Sequence, residues 1–311
     1  MALHLGQPVH KVRMGSDLNE VFSLLDETAW FNEEPLGTFG SVAQFLLMKR
    51  AKELGVTVLL SGQGADELLL GYQSDAVRHV ARLIRQGNLV ETAHNLAGFL
   101  RHGTVIRDYR FADIRHFVAR RVRTDSIDIG GPLLKESTSS IRSIHTPMDI
   151  SSREVEDLYR GSIPAILHSE DRMSMAWSRE IRAPFLDYRL VSLLHALPGN
   201  VKLRDGWTKW ILRNTMEPLL PPAIAWGKDK QGFVSPERER LQDGLRPVIS
   251  SIVNALLVTG AAGIIDQNEL RRWYAHYYAG SGGYRAAFWR EALLPVALGI
   301  WACRFERYLR W

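Results

Sequence analysis

The sequence predicts an α/β fold in which a partial parallel sheet is followed by a mainly helical portion. The run Val56 to Leu60 is apolar and strand-forming, and it directly follows a helix-like stretch, Ser41 to Leu54, that Gly55 ends. A helix joined to an unbroken apolar strand is typical of a parallel sheet whose strands are covered on both faces. From Asp75 onward the apolar periodicity is mostly helical. We therefore expect an α/β portion over residues 1–75 and a helical portion over residues 76–311.

The other elements follow from local patterns. Val9 to Met14 alternates and predicts a short strand, whereas residues 124–150, rich in Ser, Thr, Gly and Pro, predict a long loop. Ser151 to Glu154 has the spacing of a capping box and predicts that a helix restarts there. Further helices are expected at 75–123 with turns at Gly87 and Gly103, and at 168–181, 190–197 and 208–220.

Composition excludes several classes of protein. In 311 residues, 46% are apolar and 23% charged, which are values of globular chains. The net charge of +5 is modest and its basic residues are scattered, so we expect no nucleic-acid partner. No apolar run is long enough to span a bilayer, so no membrane association is expected. Cys303 is the only cysteine and is expected to be a buried structural thiol; without a disulfide, a reducing, cytoplasmic location is favoured.

The loop after the predicted strand carries the strongest chemical signal. A loop between the carboxyl end of a strand and a helix is where open α/β sheets bind ligands. The backbone N–H groups of Ser61, Gly62 and Gly64 can converge there on anionic oxygens, and Asp66 would lie in the first helical turn. A carboxylate beside a phosphate site indicates a bridging Mg²⁺. A plain glycine turn before acids at a helix start is the alternative, and this stretch alone leaves both open.

Three longer segments carry a family resemblance. They read LLSGQGADELLLGY (Leu59 to Tyr72), SEDRMSMAWSREIRAPFLDYRLV (Ser169 to Val191) and KWILRNTMEPLLPPAIAWGKDKQGF (Lys209 to Phe233). In this order they resemble the asparagine synthetase family, over about residues 1–245. The resemblance implies a sheet of the ATP-pyrophosphatase type and two reaction steps. ATP and Mg²⁺ adenylate a carboxylate, usually that of aspartate, and ammonia then displaces AMP to give an amide.

The resemblance also implies roles for single residues. Asp66 matches a ligand of the Mg²⁺–pyrophosphate, and Ser61 and Gly62 match positions that line the nucleotide and acyl-adenylate pocket. Lys230 matches the lysine that contacts the phosphates and stabilises charge in the transition state. Lys228 is an alternative whose neighbours fit the motif less well.

Glu180, Arg182 and Asp187 match the segment that builds the wall of the site. Their residue types favour the alternative, in which they form buried or half-buried ion pairs at a helix-to-loop corner before Pro184. Gln63 is a departure, because many relatives have at this catalytic position a glutamate suited to deprotonate the attacking nitrogen. Glutamine cannot act as a base, so aspartate as the acceptor is less secure than adenylation itself.

Two parts of the family pattern are missing from the sequence. Residue 2 is Ala2 instead of a catalytic N-terminal cysteine, so a glutaminase domain is absent. The pyrophosphate loop SGG-x-DS is also absent, because the only SGG, at Gly280 to Arg285, lacks the aspartate–serine pair. The resemblance thus implies a chain that begins inside the synthetase domain. We expect an exposed sheet edge and weak or no activity of the isolated chain.

Three functions remain open at this point. The first is an amide ligase acting on aspartate and ammonia, as part of a truncated or split enzyme that needs a chain carrying the missing N-terminal half or a glutaminase. The second is an amidotransferase acting on a cell-envelope sugar acid or a peptide carboxylate. The third is a non-catalytic remnant that binds a protein partner through its exposed sheet edge.

Overall fold

The structure is a computed structural model that describes residues 2–15, 17–104, 126–128, 143–145, 150–228, 246–258, 265–275, 289–305 and 308. The helices before the predicted loop are α1 (Ala2–Leu5), α2 (Leu18–Asn32), α3 (Gly40–Glu53), α4 (Ala65–Leu68), α5 (Gln73–Arg85) and α6 (Leu89–His102). Those after it are α7 (Ile150–Tyr159), α8 (Ser162–Met175), α9 (Tyr188–Ala196), α10 (Gly199–Lys202), α11 (Trp210–Met216), α12 (Pro222–Ala225), α13 (Arg246–Val258), α14 (Gln267–Tyr274) and α15 (Trp289–Phe305). The strands are β1 (Val58–Leu60), β2 (Ser126–Asp128), β3 (Ser143–His145) and β4 (Glu180–Arg182).

The strand that precedes the glycine loop is parallel, as predicted. β1 pairs with β4 so that Val58 lies opposite Glu180 and Leu60 lies opposite Arg182. Residues 180 and 181 were expected to continue a helix from residue 168, and this prediction is wrong. The helix ends at Met175, a turn follows, and the chain then extends beside β1. Backbone pairing with a distant strand overrides the local helical pattern.

The expectation that β1 is covered on both faces is also wrong. Val58 is 38% exposed and Leu60 is 75% exposed. Within the described ranges, β4 is the one strand that pairs with β1, so the other edge of β1 is open. The exposed sheet edge expected from the family resemblance agrees with this arrangement of the described residues and stays a prediction for the whole chain. Exposed apolar strand edges of this kind favour pairing with a further strand.

Most of the helical predictions before residue 104 are confirmed. α3 ends before Gly55, whose φ of +73° suits glycine, and the break between α5 and α6 falls at Gly87 and Asn88. α6 ends at Gly103 with a φ of +61°. Residues 9–14, in contrast, form no strand. The remainder of the predicted helical stretch, residues 105–123, lies outside the described residues.

Several later predictions need correction. Part of the predicted loop forms the antiparallel pair of β2 and β3. α7 begins at Ile150, and Glu154 pairs with Lys202 inside the protein instead of capping the helix. Cys303 is exposed, because it lies on the outer side of α15. The helix predicted at residues 208–220 is shorter, since α11 covers Trp210–Met216.

Two apolar clusters position the candidate site. The larger one joins α2, the start of α3, and helices α13 to α15, with Leu25, Phe39 and Val296 nearly inaccessible to solvent. The smaller one packs Leu68 and Leu69, at the end of α4, against α9 and the turn before it. Through Leu68 and Leu69, this second cluster anchors the helix that follows the glycine loop.

None of the helices in the described ranges is long and apolar enough to cross a membrane.

Candidate active site

The glycine loop leaves the carboxyl end of β1 and enters α4. The backbone N–H of Ser61 donates to the carbonyl of Arg182 at 2.8 Å, so the ladder with β4 extends one residue beyond the strand. The prediction that this N–H binds phosphate oxygens is therefore wrong, because the sheet already uses it. The N–H groups of Gly62 and Gly64 form no hydrogen bond to any described residue. Their role in binding a nucleotide stays a prediction.

Gly64 is required by the backbone of the loop. Its φ is +90°, and an added Cβ would lie 2.4 Å from Cδ2 of Leu186. Leu186 belongs to the PFLD segment, which packs under the loop through the cluster of α4 and α9. Two of the motifs seen in the sequence are thus in direct contact. Gly62, in contrast, has open space around the position of a Cβ.

Asp66 and Lys209 form the charged pair of the site. Nζ of Lys209 lies 3.0 Å from Oδ1 of Asp66, and the two side chains are 25% and 30% exposed. Lys209 has a φ of +54°, and its backbone N–H donates to the carbonyl of Leu69 at 3.1 Å. The sequence analysis assigned no role to Lys209, although it is the first residue of the third motif. Its place at the start of that motif was the one signal in the sequence that pointed to Lys209.

Lys230 lies outside the described residues, so its predicted role is not tested. The chain leading to it is described as far as Lys228, and Arg213 holds that chain in place. Nη1 of Arg213 donates to the carbonyls of Ala225 and Gly227 at 2.8 and 3.0 Å. Burial lowers the pKa of Arg213 below its usual value. The arginine of the third motif therefore holds the segment that precedes residue 228.

A buried carboxylate also contacts the glycine loop. Oγ of Ser61 donates to Oε1 of Glu170 at 2.7 Å, and Nε2 of Gln44 donates to the same oxygen at 3.2 Å. The backbone N–H of Gln63 in turn donates to Oγ of Ser61 at 3.3 Å. Glu170 is 5% exposed, and its other oxygen, Oε2, is buried with no hydrogen-bond partner among the described residues. The sequence analysis did not single out Glu170, although it lies in the second motif.

The predicted wall residues form exposed ion pairs. Arg182 pairs with Glu180 at 2.6 Å with both side chains more than half exposed, and Arg189 pairs with Asp187 at 2.8 Å. The expectation of buried or half-buried pairs is wrong for Glu180 and Arg182. Asp187 also caps α9 by accepting from the N–H of Arg189, and these hydrogen bonds lower the pKa of Asp187 to about 2. The carbonyl of Arg182 is the part of this segment that contacts the loop.

Glu67, next to Asp66, anchors α4 to a buried polar layer. It is 4% exposed, accepts from the hydroxyl of Tyr72 at 2.5 Å and from Ser162 at 3.4 Å. Burial and the neighbouring carboxylate of Glu67 raise the pKa of Tyr72 above its usual value. The layer continues through three ion pairs, which are Asp75–Arg78, Arg153–Asp157 and Glu154–Lys202. These ion pairs join helices to one another, although Nε of Arg78 and Nε of Arg153 are buried without a hydrogen-bond partner among the described residues.

The donor set suits a magnesium ion shared with a substrate. Across the described part of the chain, no three His, Cys, Asp or Glu side chains lie close enough together to hold a metal ion. Asp66 offers one partly exposed carboxylate. Mg²⁺ is commonly bound by one or two carboxylates together with substrate phosphates. Asp66 therefore fits a Mg²⁺–polyphosphate and does not fit a site made by protein ligands alone.

Comparison with known proteins gives a consistent family match. A family model described as Asparagine synthase matches residues 1–304. Asparagine synthetase (glutamine-hydrolysing) 1 of Bacillus subtilis is 25% identical over 255 residues, which cover 75% of this chain and 39% of that protein. A putative asparagine synthetase of Mycobacterium bovis is 25% identical over 87% of this chain and 43% of its own length. An amidase of Gibberella zeae is 22% identical over 80% and 42%. The chain thus spans about two fifths of the length of these relatives.

Proposed function

Because the chain belongs to the asparagine synthase family, we propose that it is the synthetase part of an ATP-dependent amide ligase. The carboxylate of the acceptor attacks the α-phosphate of ATP and releases pyrophosphate. Ammonia then attacks the acyl carbon, the bond to AMP breaks, and an amide is formed. Aspartate is the first acceptor to test.

The pairing of Asp66 with Lys209 carries this proposal. The two charges lie where the chain leaves β1 and enters α4, at the carboxyl end of a parallel strand. Open α/β sheets bind their ligands at this end. A carboxylate there can hold Mg²⁺, and a neighbouring ammonium can bind the phosphate oxygens that share the ion. The arrangement suits a nucleotide polyphosphate better than an uncharged ligand.

The other residues divide into two groups. Gly62 and Gly64 offer backbone N–H groups to the nucleotide, and Ser61 lies beside them with its hydroxyl on Glu170. Lys230 is proposed to stabilise the charge that develops on the phosphates. Bound Mg²⁺ would neutralise the polyphosphate, with Asp66 as its protein ligand.

The identity of the acceptor and the need for a partner are further parts of the proposal. Gln63 and the amidase name of one relative both favour testing acceptors other than aspartate, such as a sugar acid or a peptide carboxylate. The open edge of β1 favours a partner that adds a strand, in the form of a chain carrying the missing N-terminal half. Ammonia, a glutaminase or both would supply the nitrogen, in the cytoplasm.

The open edge also supports a second candidate function, a non-catalytic subunit that binds a protein partner. Under this function, replacing Asp66 or Lys230 by alanine would leave the behaviour of the protein unchanged. If either change abolishes adenylation by the chain together with its partner, the non-catalytic function is excluded.

The decisive experiment is acceptor-dependent exchange between pyrophosphate and ATP, with Mg²⁺, aspartate and ammonia. It should be run on the chain alone and with the N-terminal part of a relative's synthetase domain added in trans. Exchange in either form supports the ligase, and exchange in the second form alone supports a split enzyme. If a panel of amino-acid, sugar-acid and peptide carboxylates gives no exchange in either form, the proposed ligase is wrong.

A further inference from the structure

We infer that Glu170 binds the nitrogen nucleophile of the amination step and accepts its proton, an inference that rests on the proposed function. The observation behind it is a buried carboxylate with one oxygen fully engaged and the other without a partner. The hydrogen bond from Ser61 to Oε1 joins this carboxylate to the glycine loop, where the acyl-adenylate is proposed to bind.

The hydrogen bonds fix the orientation of the carboxylate. Oε1 of Glu170 accepts from two side chains, the hydroxyl of Ser61 on the loop and the amide of Gln44 on α3. These contacts come from two different elements, since Gln44 lies on α3 and Ser61 on the loop that follows β1. Glu170 is thereby held without any contribution from Oε2. Oε1 alone is enough to join the loop to α3. This structural task therefore does not explain why Oε2 is buried without a partner among the described residues.

In the described part of the chain, the charge of Glu170 also has no counter-charge beside it. Among the described residues, no Lys, Arg or His side chain forms an ion pair with it, although the residue is 5% exposed. Burying a carboxylate without a counter-charge is costly, and such groups normally have a cation or a proton beside them. Ammonium is a small cation whose N–H groups all donate, so it satisfies both the charge and the free acceptor of Oε2.

Gln63 gives the carboxylate a chemical task. The side chain of Gln63, on the loop itself, cannot accept a proton at ordinary pH. Oγ of Ser61 links the two residues, because it accepts from the backbone N–H of Gln63 and donates to Glu170. Glu170 is thus the carboxylate that the structure places against this loop. Asp66 also lies near the loop, but it pairs with Lys209.

Ammonium bound at Oε2 first gives one proton to Glu170, which releases it to solvent, and the ammonia that remains is the nucleophile. Two protons thus leave the nitrogen in all, one before and one after the attack. The nitrogen lone pair forms the new C–N bond, and the bond between the acyl carbon and the phosphate oxygen breaks, so that AMP leaves with its electron pair. The nitrogen sheds one proton, which passes to Oε2 of Glu170 and later to solvent. No oxidant or further reactant is needed.

The test compares Glu170→Gln with the unchanged chain, alone or with the N-terminal part in trans, whichever supports exchange. Glutamine keeps the size of the side chain and can still accept from Ser61, but it carries no charge. Glu53→Gln is the matched control, because Glu53 lies on the surface of α3 and pairs with Arg50. We expect Glu170→Gln to raise the KM for ammonium at least tenfold while acceptor-dependent exchange changes less than twofold. The control should leave both unchanged.

A second readout needs no turnover. Crystals soaked in rubidium chloride, whose cation resembles ammonium in radius and scatters anomalously, should show a peak at Oε2 of Glu170 that Glu170→Gln lacks. An unchanged KM for ammonium, an equal loss of exchange and amination, or the absence of the rubidium peak would overturn the role of Glu170. If the unchanged chain shows no exchange with any acceptor, the proposed ligase fails, and the rubidium peak alone then decides whether Glu170 holds a cation.

Discussion

Nζ of Lys209 lies 3.0 Å from Oδ1 of Asp66, although 142 residues separate them in the sequence. The contact joins the motif that follows β1 to the motif that opens α11. Two features direct the side chain to this position. The backbone of Lys209 is left-handed, and its N–H donates a hydrogen bond to the carbonyl of Leu69. Removing either charge should therefore affect the site more than the fold.

Asp66→Asn and Lys209→Met should each lower acceptor-dependent pyrophosphate exchange by about a hundredfold or more, since each removes a charge that faces the proposed Mg²⁺–polyphosphate. The pair is partly exposed, so the free energy of unfolding should change by no more than about 1 kcal/mol. Urea unfolding and the exchange assay check the two parts separately. Loss of stability in step with activity would show that the pair is structural.

Lys202→Met should destabilise the protein strongly. The ammonium of Lys202 lies 2.5 Å from Glu154, and both side chains are almost wholly buried. Removing Lys202 leaves the buried carboxylate of Glu154 with the partly exposed His195, 3.1 Å away, as its remaining partner among the described residues, and a loss of up to about 3–5 kcal/mol is expected. Arg50→Met, which breaks an exposed pair with Glu53, should change the free energy of unfolding by about 0.5 kcal/mol or less. Adding Glu154→Leu to Lys202→Met should recover much of the loss, and urea unfolding measures all four proteins.

Gly64→Ala and Gly62→Ala should differ clearly in stability. At Gly64 the φ of +90° disfavours any side chain, and the new Cβ would meet Leu186 at 2.4 Å. We expect a loss of about 2–3 kcal/mol from the strained backbone and the displaced leucine. Gly62 has open space, so its alanine variant should lose less than about 1 kcal/mol. Equal effects in thermal unfolding would contradict the loop geometry.

Asp75→Asn should change how stability depends on pH. Burial raises the pKa of Asp75 from 3.8 to about 6, although Arg78 acts in the opposite direction. The folded state therefore binds this proton more tightly than the unfolded state. As a result, the contribution of Asp75 to the free energy of unfolding falls as pH rises from about 4 to about 6, by about 3 kcal/mol in total.

The measurement must compare the variant with the unchanged protein. Burial lowers the pKa of His79 to about 4, so its contribution to stability rises over the same pH range and opposes that of Asp75. The difference between the two urea-unfolding curves isolates Asp75, because His79 is common to both. A difference that does not vary between pH 4 and pH 6 would show that Asp75 titrates as an ordinary carboxyl.

Local pattern was enough for the elements whose signals lie within a few residues. The apolar run before Ser61 predicted a parallel strand, and the acids after Gly64 predicted that Asp66 would lie in the first turn of a helix. The motifs also predicted the family, which the match over residues 1–304 confirms. These features depend on backbone propensity and on short spacings, which the sequence states directly.

The partners of those elements were decided by tertiary structure. Residues 180 and 181 were predicted to be helical, and they form a strand because β1 supplies hydrogen bonds that an isolated segment lacks. The contacts of Lys209 with Asp66 and of Glu170 with Ser61 each span more than a hundred residues of chain. Periodicity carries no information about such distances. Local pattern thus predicts the position of the loop and of its carboxylate along the chain, whereas the charges that surround them depend on packing between distant segments.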